Sequence, residues 1–211
     1  MIWEQYYDAG DPDQEGLLNH VVAVSGGYIA SGNKNISSTN HNVLIIKINT
    51  GGALISGYPK LYGNSNLVNI GNNIGAGGYA FIEPILNAGT ITGYIVGATA
   101  VSNAQAGFSA DGALLIKLNP DGTLNTTDFT NGYKIYSNTA YGYSTGYHVI
   151  CINNASNTTQ AFAFAGNQIS SSSEPDAFVI KTNLNGVELW HNIFSESSLG
   201  VNTYTDVNSG S

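Results

Sequence analysis

Asp8, Asp11, Asp13 and Glu15, within YDAGDPDQEG, are the densest group of oxygen donors in the chain. Asp11-x-Asp13-x-Glu15-Gly16 follows the first half of a calcium loop, with ligands at alternate positions and glycine at the sixth. The twelfth position is Val22, where a bidentate glutamate is needed, so the stretch reads as an acidic connection between strands. The histidines are His20, His41, His148 and His191; His20 and His148 stand directly before the matching apolar runs VVAV and VICI. Two imidazoles brought together would suit zinc or copper, but no third ligand accompanies them and nothing in the spacing requires the two to converge. Glu174 and Asp176 have the residue types of a glycosidase pair, yet they sit together on one connection, where Asn42 and Asp111-Gly112 hold the matching places elsewhere. Cys151, the single cysteine, lies in the apolar run HVICI and reads as a core thiol. The chain has no G-x-S-x-G elbow, P-loop, H-E-x-x-H or dinucleotide fingerprint. No catalytic, cofactor-binding or metal-binding residue is assigned, and a non-enzymatic role is expected.

The elements around these residues are written in a recurring phrase: LIIKINTGG at 44–52, LLIKLNPDG at 114–122 and VIKTNLNG at 179–186. Its lysines, Lys47, Lys117 and Lys181, lie 70 and 64 residues apart, the spacing of a large supersecondary repeat. Upstream of each copy is an apolar segment ending in small residues, YIASGN at 28–33, YIVGAT at 94–99 and FAFAGN at 162–167. Downstream comes an aromatic pair: Tyr58 and Tyr62, Tyr133 and Tyr136, Trp190 and Phe194. Trp3 to Tyr7 gives that pair once more with nothing before it.

Alternation and β-branched enrichment predict four strands per unit, in the first at about 20–25, 28–33, 43–49 and 53–62. Gly26-Gly27 and Thr50-Gly51-Gly52 supply tight turns, and Asn119-Pro120-Asp121-Gly122 and Asn183-Leu184-Asn185-Gly186 repeat the second of them. Antiparallel strands joined this way every 60 to 70 residues describe a propeller blade better than any other common all-β unit. The expected organisation is one all-β domain over 1–211, with units at about 10–63, 64–137 and 138–195. Residues 1–9 form the last strand of a preceding or split blade, and 196–211 begin a further unit. The repeat lysines are expected to blunt a strand edge or to pair with a neighbouring blade's carbonyl or acid.

Composition narrows the function classes. Six lysines, no arginine and a net charge of −8 leave no basic cluster to hold a polyanion, which argues against nucleic acid. No apolar run approaches the about 20 residues that a membrane helix needs. An acidic surface rich in Asn, Ser, Thr and Tyr suits an extracellular setting. Met1 leads straight into IWEQYY with no signal peptide visible, and the chain is expected to be a segment of a longer protein.

Gly26-Gly27-Tyr28, Lys47-Ile48-Asn49, Asp176-Ala177-Phe178 with Lys181, and Gly186 followed by Trp190 give the sequence a family likeness. It resembles the β-propeller repeats of secreted and cell-surface bacterial proteins, whose blades read roughly GGYIVAGxT and then DAxLxKLDxxGxxxW. The second unit departs from that pattern: Tyr133 replaces the tryptophan, and Glu83-Pro84 and Asn87-Ala88-Gly89 suggest an enlarged first hairpin. The resemblance implies an extracellular binding or display scaffold with a glycan or protein partner. The alternatives are an accessory propeller region of a carbohydrate-active enzyme and a subunit of a strand-complemented homopolymeric surface assembly. Three blades fall short of the usual minimum of about four, so unpaired edges and self-association are expected as well.

Overall fold

A computed structural model of the chain describes residues 16–37, 40–63, 79–100, 112–136, 143–169 and 175–194; of residues 35–37, 40, 41, 143–147, 169 and 175 it describes the backbone alone. The acidic group at residues 8, 11, 13 and 15, the aromatic pair at 3 and 7, Glu174 and the side chain of His41 therefore lie outside the described residues.

Among the described residues there is no helix, and all regular structure is strand. The first sheet contains β1 (Gly16–Val24), β2 (Gly27–Ser37), β3 (Asn40–Asn49) and β4 (Lys60–Tyr62). The second contains β5 (Phe81–Asn87), β6 (Thr90–Ala100), β7 (Gly112–Leu118) and β8 (Tyr133–Tyr136). The third contains β9 (Tyr143–Asn153), β10 (Thr159–Ile169), β11 (Pro175–Asn183) and β12 (Glu188–Phe194). Each is a four-stranded antiparallel sheet whose strands lie in chain order, and each falls within one unit marked by the recurring phrase. No helix among the described residues is long and apolar enough to cross a membrane.

The recurring phrase forms the third strand of each sheet and the turn after it. β7 is buried along its whole length because the second sheet is covered on both faces, which is why GALLIKL does not alternate. In the first and third sheets the turn is held by its own first residue: Asn49 Oδ1 accepts from the Gly51 and Ala53 amides at 2.9 and 3.0 Å, and Asn183 Oδ1 from Asn185 and Val187 at 3.0 and 2.9 Å. Gly52, Gly122 and Gly186 close it with φ of +85°, +79° and +69°, a region that glycine enters without a Cβ penalty.

Two details differ from the sequence reading. The fourth strand of the first unit does not begin at residue 53: Leu54 makes only an isolated bridge with Ile48, and pairing resumes at Lys60. Gly57 has φ of +87° and Pro59 has no amide to donate, so the segment between is turn. The first hairpin of the second unit is not enlarged either. Glu83 and Pro84 belong to β5, and the connection to β6 is the two-residue turn Ala88-Gly89, both with positive φ. Pro84 is tolerated because β5 is the edge of its sheet and pairs only with β6.

The sheets pack face to face, the first on the second and the second on the third, with their first strands β1, β5 and β9 in contact in turn. Ile29, Val43 and Ile45 meet Ile82, Tyr94, Val96 and Leu114 between the first two; Ile95, Ala113 and Leu115 meet Val149, Phe162, Phe164 and Phe178 between the second and third. Polar bonds repeat at these two seams. Tyr62 donates its hydroxyl to the Gly122 carbonyl, and Tyr136, its register equivalent, to that of Gly186 at 2.7 Å. Lys47 Nζ lies 3.2 Å from the Tyr94 hydroxyl, and Lys117 Nζ donates to the Leu184 carbonyl at 2.7 Å. Lys47 and Lys117 thus reach forward into the next sheet.

Candidate functional site between the first strands

Sheet register places one side chain from each unit at the same level. His20 pairs with Ser31, Phe81 with Gly97 and His148 with Ala165, and these three partners occupy matching positions in YIASGN, YIVGAT and FAFAGN. Packing of the first strands then draws the three rings together. His20 and His148 have centroids 5.8 Å apart, with Phe81 against both at 5.4 and 4.6 Å. The imidazoles therefore do converge, although their spacing did not require it. Phe81 is the member the residue types concealed; only alignment on the second strands reveals that it precedes Ile82 as His20 precedes Val21.

Tyr79, 46% exposed, stacks on Phe81 at 6.4 Å and 29° and carries the cluster to the surface. The Ile82 amide points to His20 Nδ1 at a long 3.4 Å, a bond that only the unprotonated nitrogen can accept. Burial holds the His20 imidazole below its ordinary range, so at neutral pH it is uncharged with its proton on Nε2. The arrangement offers aromatic faces and imidazole nitrogens fixed by three sheets. Two imidazoles fall short of a metal donor set, and among the described residues no group of three or more His, Cys, Asp or Glu gathers.

One layer further along the first strands, Glu83 sits half-buried opposite Ile95. Burial alone pushes its carboxyl up to about 7. Across the seam the half-buried Cys151 thiol is pushed up to about 12, by burial first and by the charge of Glu83 second, so it stays protonated at neutral pH. Because the folded carboxyl titrates above its ordinary 4.5, its stabilising neutral form is fully present below that value and is lost as the pH rises through about 7. Glu83→Gln is expected to leave stability unchanged at pH 4.5. At pH 8 it should raise it by about 1–2 kcal/mol, a discounted figure because the carboxyl keeps an open side. Thermal melts of both proteins from pH 4.5 to 8.5 check this; curves separated by the same amount throughout would show a solvated carboxylate.

The other residues marked in the sequence are dispersed. Lys117 is buried, 2.8 Å from Asp128 Oδ2 and over the rings of Phe129 and Phe162. His191 stands edge-on to Phe178 within the third sheet. Asp176 lies half-buried on β11, Tyr133 half-buried on β8, and Trp190 exposed on β12. Comparison with models of known protein families and with curated protein sequences finds no match for this chain.

Proposed function

We propose that this chain is a blade array of an extracellular bacterial β-propeller and acts without catalysis, as a scaffold that contacts glycan at the rim formed by Tyr79, Phe81, His20 and His148. The observation that carries the reading is the exposed Tyr79 ring stacked on Phe81 between two imidazoles, each held by a different sheet. An aromatic face accepts the apolar side of a sugar ring, and neighbouring imidazole nitrogens bond its hydroxyls; sites of this kind combine aromatic walls with a few fixed polar groups. The recurring units support the propeller part, since face-to-face stacking with the first strands in contact is the relation that consecutive blades of such a ring would have.

A glycan array probed with wild type, followed by calorimetry on the best ligand, tests the reading. Tyr79→Ala is expected to weaken that binding at least about 10-fold, the loss of one stacking contact of roughly 1.5 kcal/mol, with an unchanged melting temperature. Glycan binding indifferent to Tyr79 and His148 substitutions, or turnover of a polysaccharide by the purified chain, would overturn it.

A further inference from the structure

The first sheet has a covered face on which no described strand stacks. Ile29, Val43 and Ile45 turn toward the second sheet, whereas Ala30, Leu44, Ile46 and Ile48 form a separate cluster on the opposite face. These four are only 3–7% exposed, and Lys34 on the same face is 3% exposed. The turn after β3 is covered as well, since Gly52 is buried between the exposed Gly51 and Ala53. A sheet face is buried when another layer lies on it, and the second sheet occupies the other side. A further part of the chain therefore supplies this cover.

At the two seams the corresponding cover is a fourth strand. Gly122 and Gly186, which match Gly52, are buried too, and their carbonyls accept the hydroxyls of Tyr62 and Tyr136 from the preceding sheet. A Cβ built on Gly122 would come 2.6 Å from the Tyr58 hydroxyl and 2.8 Å from Lys60 Cδ, and one on Gly186 2.9 Å from Lys134 Cγ. The fourth strand of one sheet thus lies across the turn of the next. Where no described sheet follows, its aromatics stay open: Trp190 and Phe194 are 42% and 40% exposed, against 7% for Tyr62.

One more segment has the pattern of such a strand. Trp3-x-x-x-Tyr7 repeats the spacing of Tyr58-x-x-x-Tyr62 and Trp190-x-x-x-Phe194, and none of the other stretches outside the described residues contains two aromatics. It can also reach. Residues 8–15, between Tyr7 and β1, form a longer connection than 137–142, which leads from β8 to β9.

We propose that residues 2–8 lie as a strand across the outer face of the first sheet, with the Tyr7 hydroxyl donating to the Gly52 carbonyl and Trp3 packed over the turn. The bond made at both seams is then made a third time, and the chain's own N-terminal segment seals this end of the stack. The inference stands independently of what the rim binds.

Fluorescence of the full chain tests it. In a Cys151→Ala, Trp190→Phe background, Trp3 is the sole tryptophan, since the chain has two, and a cysteine placed at an exposed site takes a nitroxide, which quenches indole only at short range. Ala53→Cys carries the label beside Gly52, and Asn185→Cys carries it on the matching turn of the third sheet. The label at 53 should remove most of the Trp3 emission and the label at 185 should leave it unchanged. Tyr7→Phe, which deletes only the hydroxyl, should lower the melting temperature by about 2–4 °C, the loss of one net hydrogen bond in a chain of this size. Tyr136→Phe removes the equivalent bond at a seam and sets the scale. Trp3 emission indifferent to the label at 53, or a Tyr7→Phe protein that melts as wild type while Tyr136→Phe does not, would overturn the proposal.

Discussion

Lys117→Ala is expected to destabilise the chain by about 3 kcal/mol and to lower its melting temperature by about 10 °C. The ammonium is buried, bonded to the Leu184 carbonyl at 2.7 Å and to Asp128 Oδ2 at 2.8 Å, and it lies 5.8 and 5.6 Å from the Phe129 and Phe162 ring centres. Truncation removes three kinds of contact at once and leaves the Leu184 carbonyl facing a void between aromatic rings. The figure stays at the lower end for broken buried pairs because Asp128 is partly exposed and can turn to water. Lys117→Met, which refills the space without the charge, should recover about half of the loss, since an apolar side chain of similar volume replaces a buried ion at small cost. Lys47→Ala serves as the control. Its ammonium is half-buried and has one hydroxyl partner at 3.2 Å, so its loss should stay below about 1 kcal/mol. Guanidinium denaturation of the three variants checks the order; equal losses at Lys47 and Lys117 would mean that the seam contacts of the second lysine contribute nothing beyond its place on the strand.

The contrast between these lysines shows what was legible beforehand. Their recurrence, the turn after each and the four-strand grouping rest on local chemistry: Asn49 and Asn183 bonding amides two and four residues on, glycine at positive φ, β-branched runs. Such interactions connect residues close in sequence, and the phrase displays them. The acceptor for Lys117 is a main-chain carbonyl, a group that every residue has, so no residue type pointed to Leu184. Residues 53–62 read as one strand because Leu54, Ile55, Tyr58, Leu61 and Tyr62 are apolar or aromatic, yet Gly57 and Pro59 settled the matter locally. The rim was half visible. His20 and His148 stood out as rare residues before matching runs, whereas Phe81 looked like any core aromatic, and only sheet register and the packing of β1, β5 and β9 put the three together. Glu83 was concealed in the same way, since its burial comes from the neighbouring sheet and not from its own strand.

Phe164→Ala is expected to cost about 3–5 kcal/mol, because the ring is fully buried at the seam between the second and third sheets and leaves a cavity that two stacked sheets cannot collapse. The space it fills is made by a missing side chain: a Cβ built on Gly97 would come 2.9 Å from Phe164 Cε2 and 3.0 Å from Val149 Cβ. Glycine at 97, in the middle of a strand, is a poor strand former kept for this close approach. The pair is therefore coupled, and the coupling has a sign that can be measured. Gly97→Ala alone should destabilise by about 1–3 kcal/mol through overpacking against the ring. In the Phe164→Ala background the same methyl enters the vacated space and regains propensity for the strand, so it should stabilise. A double-mutant cycle read by denaturant unfolding is expected to give an interaction energy of about 2 kcal/mol between the two positions, within the range for residues in direct contact. Additive losses would show that the seam relaxes around either change and that the stacking of the second and third sheets does not depend on this ring lying over this glycine.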